Sequence, residues 1–341
     1  MPTSKASPNI LPVGKLPVEL LRGFLGAAAT ANPDVIVGPG IGADAAAIRF
    51  GSETLIIKTD PITFATSEIA SYLVAVNSND IACMGGVPEY LLATVLLPEG
   101  RTTAESATLL LESIETAAQA AGITLVGGHT EITHGLERPI VCGCMLGRLR
   151  HDHVIQTRDA RPGDKLLLSK NLPLEAISII AHERPERLDL NPDDLQRARN
   201  LIKNPGISVV REARLALSCG GVSAMHDPTE GGLATGLHEL AEAADCGLRI
   251  DYASLPFDPL ARQVLEPFAI DPLGAIASGS LLLACAPDKA DAILAAWRQA
   301  GVQGSLIGAL TADKQRRLVR DGQTIELPSF SADEITKVFK A

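Results

Sequence analysis

The sequence predicts an α/β (α+β) fold in two domains, and three observations carry that reading. The chain has 341 residues, too many for one ordinary core and enough for two. β-rich runs and helical periodicities alternate along its whole length. Near residues 152–162 the texture changes: "HDHVIQTRDARPGDKLLLSK" brings charge, a Pro-Gly turn and a new strand. Such a change marks a boundary between domains. The chain therefore divides into an N-terminal segment 1–37, a first domain 38–155, a second domain 156–323 and a tail 324–341.

In the first domain, "TLIIKTD" (54–60) is a β-rich run ending on a carboxylate. Residues 67–85 carry helical spacing and then glycines, and "EYLLATVLLP" (89–98) is a buried strand bounded by prolines. The clearest helix is 103–122, with Leu109, Leu110, Ser113, Ile114 and Ala117 in one stripe and Gly122 as its stop. Strands follow at 123–133, running into a loop, and at 139–149. The second half predicts helices at 174–182, 192–203, 206–219, 231–246 and 287–300. Its strands fall at 222–226, 248–251, 280–285 and 305–309, after the one that opens the domain.

Composition narrows the function. Apolar residues make up 46% and charged residues 21%, as in a globular chain. A net charge of −10 with no basic patch argues against nucleic acid. No apolar run is long enough to span a membrane, and the N-terminus lacks a signal-peptide core. Six sparse cysteines read as reduced thiols in a cytoplasmic protein. Cys142 and Cys144 form C-x-C on one strand face, expected in the core.

Acids recur beside small residues. Asp44 is the one charge in "GPGIGADAAAI" (38–48), Asp60 ends "IIKTD", Asp80 sits in "VNSNDIACMGG", and His129 and Glu131 lie in "VGGHTEIT". Each alone reads first as a turn or cap. Together they suggest hard oxygen ligands for Mg²⁺, with bare backbone N–H groups for phosphate, which amounts to a nucleoside triphosphate held through metal. No standard phosphate-loop motif is present. In the second half, "HDPTEGGLATGLHELAEAA" (226–244) opens an amphipathic helix at Gly231 and Gly232, an anion-friendly terminus. Asp227 and Glu230 there can hold metal or cap the helix, and His226 is a packed strand-end histidine or a base.

The ordered set "VGKLP", "GADAA", "KTDPITF", "VNSNDIACMGG", "GGHTEIT", "HDPTEGGLATGLHELA" and "ASGSLLLA" resembles the superfamily of aminoimidazole ribonucleotide (AIR) synthetase, thiamine-monophosphate kinase, selenophosphate synthetase and the hydrogenase maturation factor HypE. The HypE branch is the nearest in its phrases. The resemblance implies a PurM-like two-domain fold whose first domain pairs with a second copy into a β-barrel, so a homodimer is expected. It implies ATP and Mg²⁺ in a cleft between the domains, and transfer of the γ-phosphoryl group to a small-molecule acceptor. By motif, Asp44, Asp60, Asp80 and Asp227 are the implied metal ligands. Gly40, Gly42, Thr59, Asn77, Gly127, Gly128, Thr229, Gly231 and Gly232 are the implied cofactor-binding residues. Asp80, Asp227 and His129 are the candidate catalytic residues.

The chain also departs from the pattern. Ala43 stands where the first of two acids is common, His129 where an acid follows paired glycines, and Glu230 where HypE usually has arginine. HypE's tail ends in a cysteine that carries a carbamoyl group; here no cysteine follows Cys285. The expectation is therefore an ATP-dependent enzyme acting on a small acceptor rather than on its own tail. The alternatives are a thiamine-monophosphate kinase-like phosphotransferase, or a non-catalytic nucleotide-binding partner of another maturation factor.

Overall fold

The computed structural model describes residues 32–339 except Ile41, together with Leu16 and Leu20. The "VGKLP" phrase, apart from Leu16, lies outside the described residues, as does most of segment 1–37.

The first domain is a six-stranded sheet. Its strands are β1 (Val35–Val37), β2 (Ala46–Phe50), β3 (Glu53–Ile62), β4 (Gly86–Pro98), β5 (Thr124–Thr133) and β6 (Ile140–Leu149). They lie in the order β1-β2-β3-β6-β4-β5. Every pairing is antiparallel except β4 with β5, which requires a crossover. Helix α2 (Ala104–Ala120) supplies it, opened by a capping box between Thr103 and Ser106.

Helix α1 (Ile69–Cys83) packs on β3, β6 and β4, and all but two of its residues are buried. Such a helix needs no polar face, because the second domain covers its far side. Asn79, fully buried on α1, fixes that contact: its Nδ2 donates to Ile207 O at 2.9 Å and its Oδ1 accepts from Val209 N at 2.8 Å. One apolar cluster runs through both domains, from Ile56, Leu73 and Leu91 to Ile177, Ile180 and Ile207.

The second domain is a seven-stranded sheet in the order β13-β12-β9-β11-β7-β10-β8. Here β7 is Lys165–Ser169, β8 Val222–His226, β9 Gly247–Asp251, β10 Leu282–Cys285, β11 Gly304–Thr311, β12 Arg316–Arg320 and β13 Gln323–Glu326. Its longer helices include α3 (Leu174–Glu183), α4 (Pro192–Asn200), α5 (Val210–Cys219) and α6 (Gly232–Ala243), of which α3 and α6 carry side chains of the site.

Most expected elements form within a few residues of their expected bounds. The helix expected at 192–203 stops at Asn200, with Pro205 just beyond, and the one expected from 206 begins at Val210. Position 324 falls inside β13, because Asp321 and Gly322, with φ of 51° and 75°, form the two-residue turn that joins it to β12. Cys142 and Cys144 do share a face of β6, but it is the face away from α1, and both are half-buried rather than in the core.

Candidate functional site

The site lies where α1, β3 and the described residues of 38–44 meet the end of β8. On β3, alternation sends Lys58 and Asp60 toward α1 and Thr59 to the other face. Lys58 Nζ lies 3.4 Å from Asp60 Oδ2 and 3.2 Å from Asp80 Oδ2 on α1. Asn77, one helical turn before Asp80, accepts from Asp60 N at 3.0 Å and donates to Leu73 O at 2.9 Å. Asn77 thus holds the end of β3 against α1. Gly143 of β6 must be glycine here, since a Cβ would come within 2.6 Å of the Asn77 side chain.

From the second domain come His226 and Asp227. The His226 ring bridges two carboxylates: Nδ1 to Asp44 Oδ1 at 2.5 Å and Nε2 to Glu239 Oε2 at 2.8 Å. Burial disfavours the charged ring, but Asp44 and Glu239 more than reverse this and hold its pKa well above the usual histidine value. The His226 ring therefore ties the glycine-rich segment to α6. Asp227 lies next to Cys83 of α1, with Oδ1 3.9 Å from Sγ.

Asp44, Asp80 and Asp227 are all buried, at 8%, 3% and 1% exposure. Burial pushes Asp227 up to about 7, with Asp44 adding to the shift, and it pushes Asp80 well up despite Lys58. For Lys58, burial pulls the ammonium down, but Asp80, Asp60, Asp44 and Asp227 override it and raise its pKa. Two carboxylate oxygens stay unsatisfied. Asp227 Oδ2 has no hydrogen-bond partner, and Asp80 Oδ2, though near Lys58, accepts no hydrogen bond. Buried acid in excess of buried cation, with orphaned oxygens, fits a divalent ion held by carboxylates.

Two cavities flank the cluster. One, of about 410 Å³, is lined by Gly38, Gly40, Gly42, Asp44, Met84 and Thr157 among others. Thr157 Oγ1 donates to Gly42 O at 2.6 Å, and Gly42 adopts φ of 70°. The other, of about 400 Å³, is lined by Asp60, Phe64, Arg138, Glu175, Thr229 and Ser278 among others.

Of the residues expected from sequence, Asp44, Asp60, Asn77, Asp80 and Asp227 converge, with Gly40, Gly42 and Thr229 on the flanking cavities. The rest depart from expectation. Thr59 faces away from the cluster and donates to Gly143 O at 2.7 Å, because a strand cannot turn two successive side chains the same way. Gly127, Gly128 and His129 lie on β5, three strand spacings from β3, roughly 14 Å across the sheet. There His129 pairs with Glu131 at 3.1 Å, and both are exposed. The N–H groups expected to meet phosphate at the start of α6 have other partners. Gly231 N donates to Asp333 Oδ2 at 2.6 Å and Gly232 N to Thr229 O at 3.0 Å. Gly232 is needed for backbone approach instead: at φ of 63°, its Cβ would sit 2.5 Å from Ala275 O.

Sequence reasoning did not single out Lys58, Glu239, Glu175 or Asp333 for the site. Lys58 was findable, because it is two residues before Asp60 and so shares its face. Asp333 gave no local signal; it reaches the site only because the tail folds back onto residues 271–276.

Family models place the chain among known proteins. The model described as AIR synthase related protein, N-terminal domain, matches residues 42–149, and its C-terminal counterpart matches residues 161–321. The carbamoyl dehydratase HypE of Cupriavidus necator is 30% identical over 252 residues, covering 72% of this chain and 69% of the relative. A crystal structure of the hydrogenase maturation protein HypE in complex with ATP superposes with a TM-score of 0.71 at 23% identity, covering 93% of each chain. A HypE–HypF complex gives 0.74 at 20% identity, covering 91% of this chain and 99% of that one. Matched in both halves and related to HypE over most of its length, the chain belongs to the AIR synthase-related family and has its PurM-like two-domain fold.

Proposed function

We propose that this protein binds Mg²⁺ and ATP between its two domains and phosphorylates a small acceptor. The observation that carries the reading is the buried carboxylate set Asp44, Asp80 and Asp227, drawn from both domains, with Asp227 Oδ2 unsatisfied. The HypE crystallised with ATP has the same fold, which supports the nucleotide.

In this reading Asp44, Asp80 and Asp227 hold the metal, with Asp60 at its edge, and Lys58 offers its ammonium to phosphate oxygens. The glycine-lined cavity takes the nucleoside and the Arg138–Glu175–Ser278 cavity takes the acceptor. Bound ATP supplies the phosphoryl group, and Mg²⁺ neutralises its charge. The chain's own contribution is positioning and charge balance, the main terms in phosphoryl transfer. His226 aims Asp44, Asn77 fixes Asp60, and the apolar wall of Ile62, Phe64 and Ile276 excludes water from the acceptor side.

The acceptor is a separate small molecule. The residues Asp333 and Glu334 are held against the second domain by Gly231 N, Ile276 N and Asp271 N and so stay out of the acceptor cavity's reaction. The protein acts as a homodimer through its first sheet, where Tyr90, Leu92, Val126 and Ile132 leave apolar surface exposed. A maturation-factor partner is a further expectation, supported by the HypE–HypF complex.

Calorimetric titration with a non-hydrolysable ATP analogue in the presence of Mg²⁺ tests the site. Asp60→Asn and Asp80→Asn each weaken binding while leaving the fold intact. Unchanged affinity in both variants would overturn the assignment.

A further inference from the structure

The end of α1 places a thiol among the carboxylates. One ligand atom each from Asp44, Cys83 and Asp227 lie within 4.8 Å of one another, and all three residues are buried. Three atoms that close share a centre no more than about 2.8 Å from each, against roughly 2.0–2.3 Å for metal–oxygen and metal–sulfur bonds. A small inward movement closes the gap. The Cys83 Sγ to Asp227 Oδ1 distance of 3.9 Å is near the roughly 3.6 Å edge of a tetrahedral S–M–O pair.

Three further observations point the same way. Asp227 Oδ2 is buried without a hydrogen-bond partner. Cys83 is the last residue of a 15-residue helix, whose C-terminal end favours a cation. His226 binds Asp44 Oδ1 and so orients that carboxylate from behind, as outer partners of metal ligands do.

We infer that Asp44, Cys83 and Asp227 form a binding site for a thiophilic divalent cation of the Zn²⁺ or Co²⁺ class, with the Cys83 sulfur as a direct ligand. Mg²⁺ prefers oxygen throughout, so a sulfur in the shell shifts preference toward borderline-soft ions. Binding converts the thiol to a metal-bound thiolate, and its proton passes to buffer. The inference uses carboxylates of the nucleotide site but needs no nucleotide, so the two readings can fail separately.

The test is a Co²⁺ titration of the full chain without nucleotide. Cys142→Ser and Cys144→Ser are introduced first, so that the half-buried C-x-C pair gives no signal. The expected result is a thiolate-to-cobalt charge-transfer band in the near ultraviolet. It saturates near one equivalent with release of at least one proton per cobalt, from the Cys83 thiol and the partly protonated Asp227, and it is lost in the further variant Cys83→Ser. Absence of the band, or a band that survives Cys83→Ser, overturns the inference. Should Cys83→Ser fail to fold, X-ray absorption on the zinc-loaded background protein decides: one sulfur at about 2.3 Å is expected, and an all-oxygen shell contradicts it. A charge-transfer band without ATP-analogue binding would sink only the nucleotide reading. Analogue binding without the band would sink only this one.

Discussion

Asp60 and His129 come from sequence stretches that look alike, each a β-rich run meeting small residues, yet the structure treats them oppositely. Asp60 lies on β3, an inner strand, on the face that α1 and the second domain cover. There it meets Lys58, Asn77 and, through Lys58, Asp80. His129 lies on β5, the edge of the same sheet, and its side chain is 65% exposed beside Glu131. The difference is one of position in the sheet rather than of residue type. A covered face makes each charge answer to a partner, whereas an exposed edge leaves charges to water.

Breaking the covered side costs most. His226→Ala leaves the carboxylates of Asp44 and Glu239 facing each other without the ring between them. Loss of one partner from a buried ionic set costs about 3–5 kcal/mol, so urea unfolding should show a large drop in midpoint. A change below 1 kcal/mol would mean the His226 bridge carries no net stability.

Glu175 sharpens the comparison through pH. Burial raises its carboxyl from 4.5 to about 7, even though it accepts a hydrogen bond from Ser278 N. Between those values the folded state keeps a proton that the unfolded state has lost, so this group makes stability fall as pH rises from about 4.5 to about 7. A shift of this size corresponds to roughly 3 kcal/mol. Glu175→Gln keeps an acceptor for Ser278 N and cannot ionise. Its melting temperature should exceed the parent's at pH 8 and converge with it near pH 5. Parallel profiles at both pH values would contradict the assignment.

Ligand binding separates the two regions directly. Asp227→Asn should weaken Mg²⁺-dependent binding of an ATP analogue by about 2–3 kcal/mol, roughly 30- to 150-fold. The smallest expected effect is that of His129→Ala. Its contact with Glu131 is open to water, where such pairs add little. Stability and analogue affinity should both stay near the parent's. A large affinity loss would break the contrast and show that β5, from this chain or a second copy, completes the site.

Much of the architecture was legible because it is local. The stripe of α2, the alternation of β3 and the Gly-Gly start of α6 each encode an element within a dozen residues. The acids that gather at the cleft were legible too, as carboxylates set beside small residues. Their pairings were not. His226 reaches Asp44 across 182 positions, and Asp333 caps Gly231 across 102. Nothing local fixes such contacts, which depend on how the two sheets dock. Thr59 shows the converse: the period of β3 alone turns it away from Lys58 and Asp60, whatever the motif implies. The Asp321-Gly322 turn was likewise a local signal, lost by placing a boundary just beyond it.

The most direct test of the central claim is calorimetric titration of the intact protein with a non-hydrolysable ATP analogue, with and without Mg²⁺. If the buried carboxylates form a phosphate–metal site, binding appears with Mg²⁺ and is lost or much weakened without it. No binding in either condition, or binding indifferent to the metal, would contradict the account.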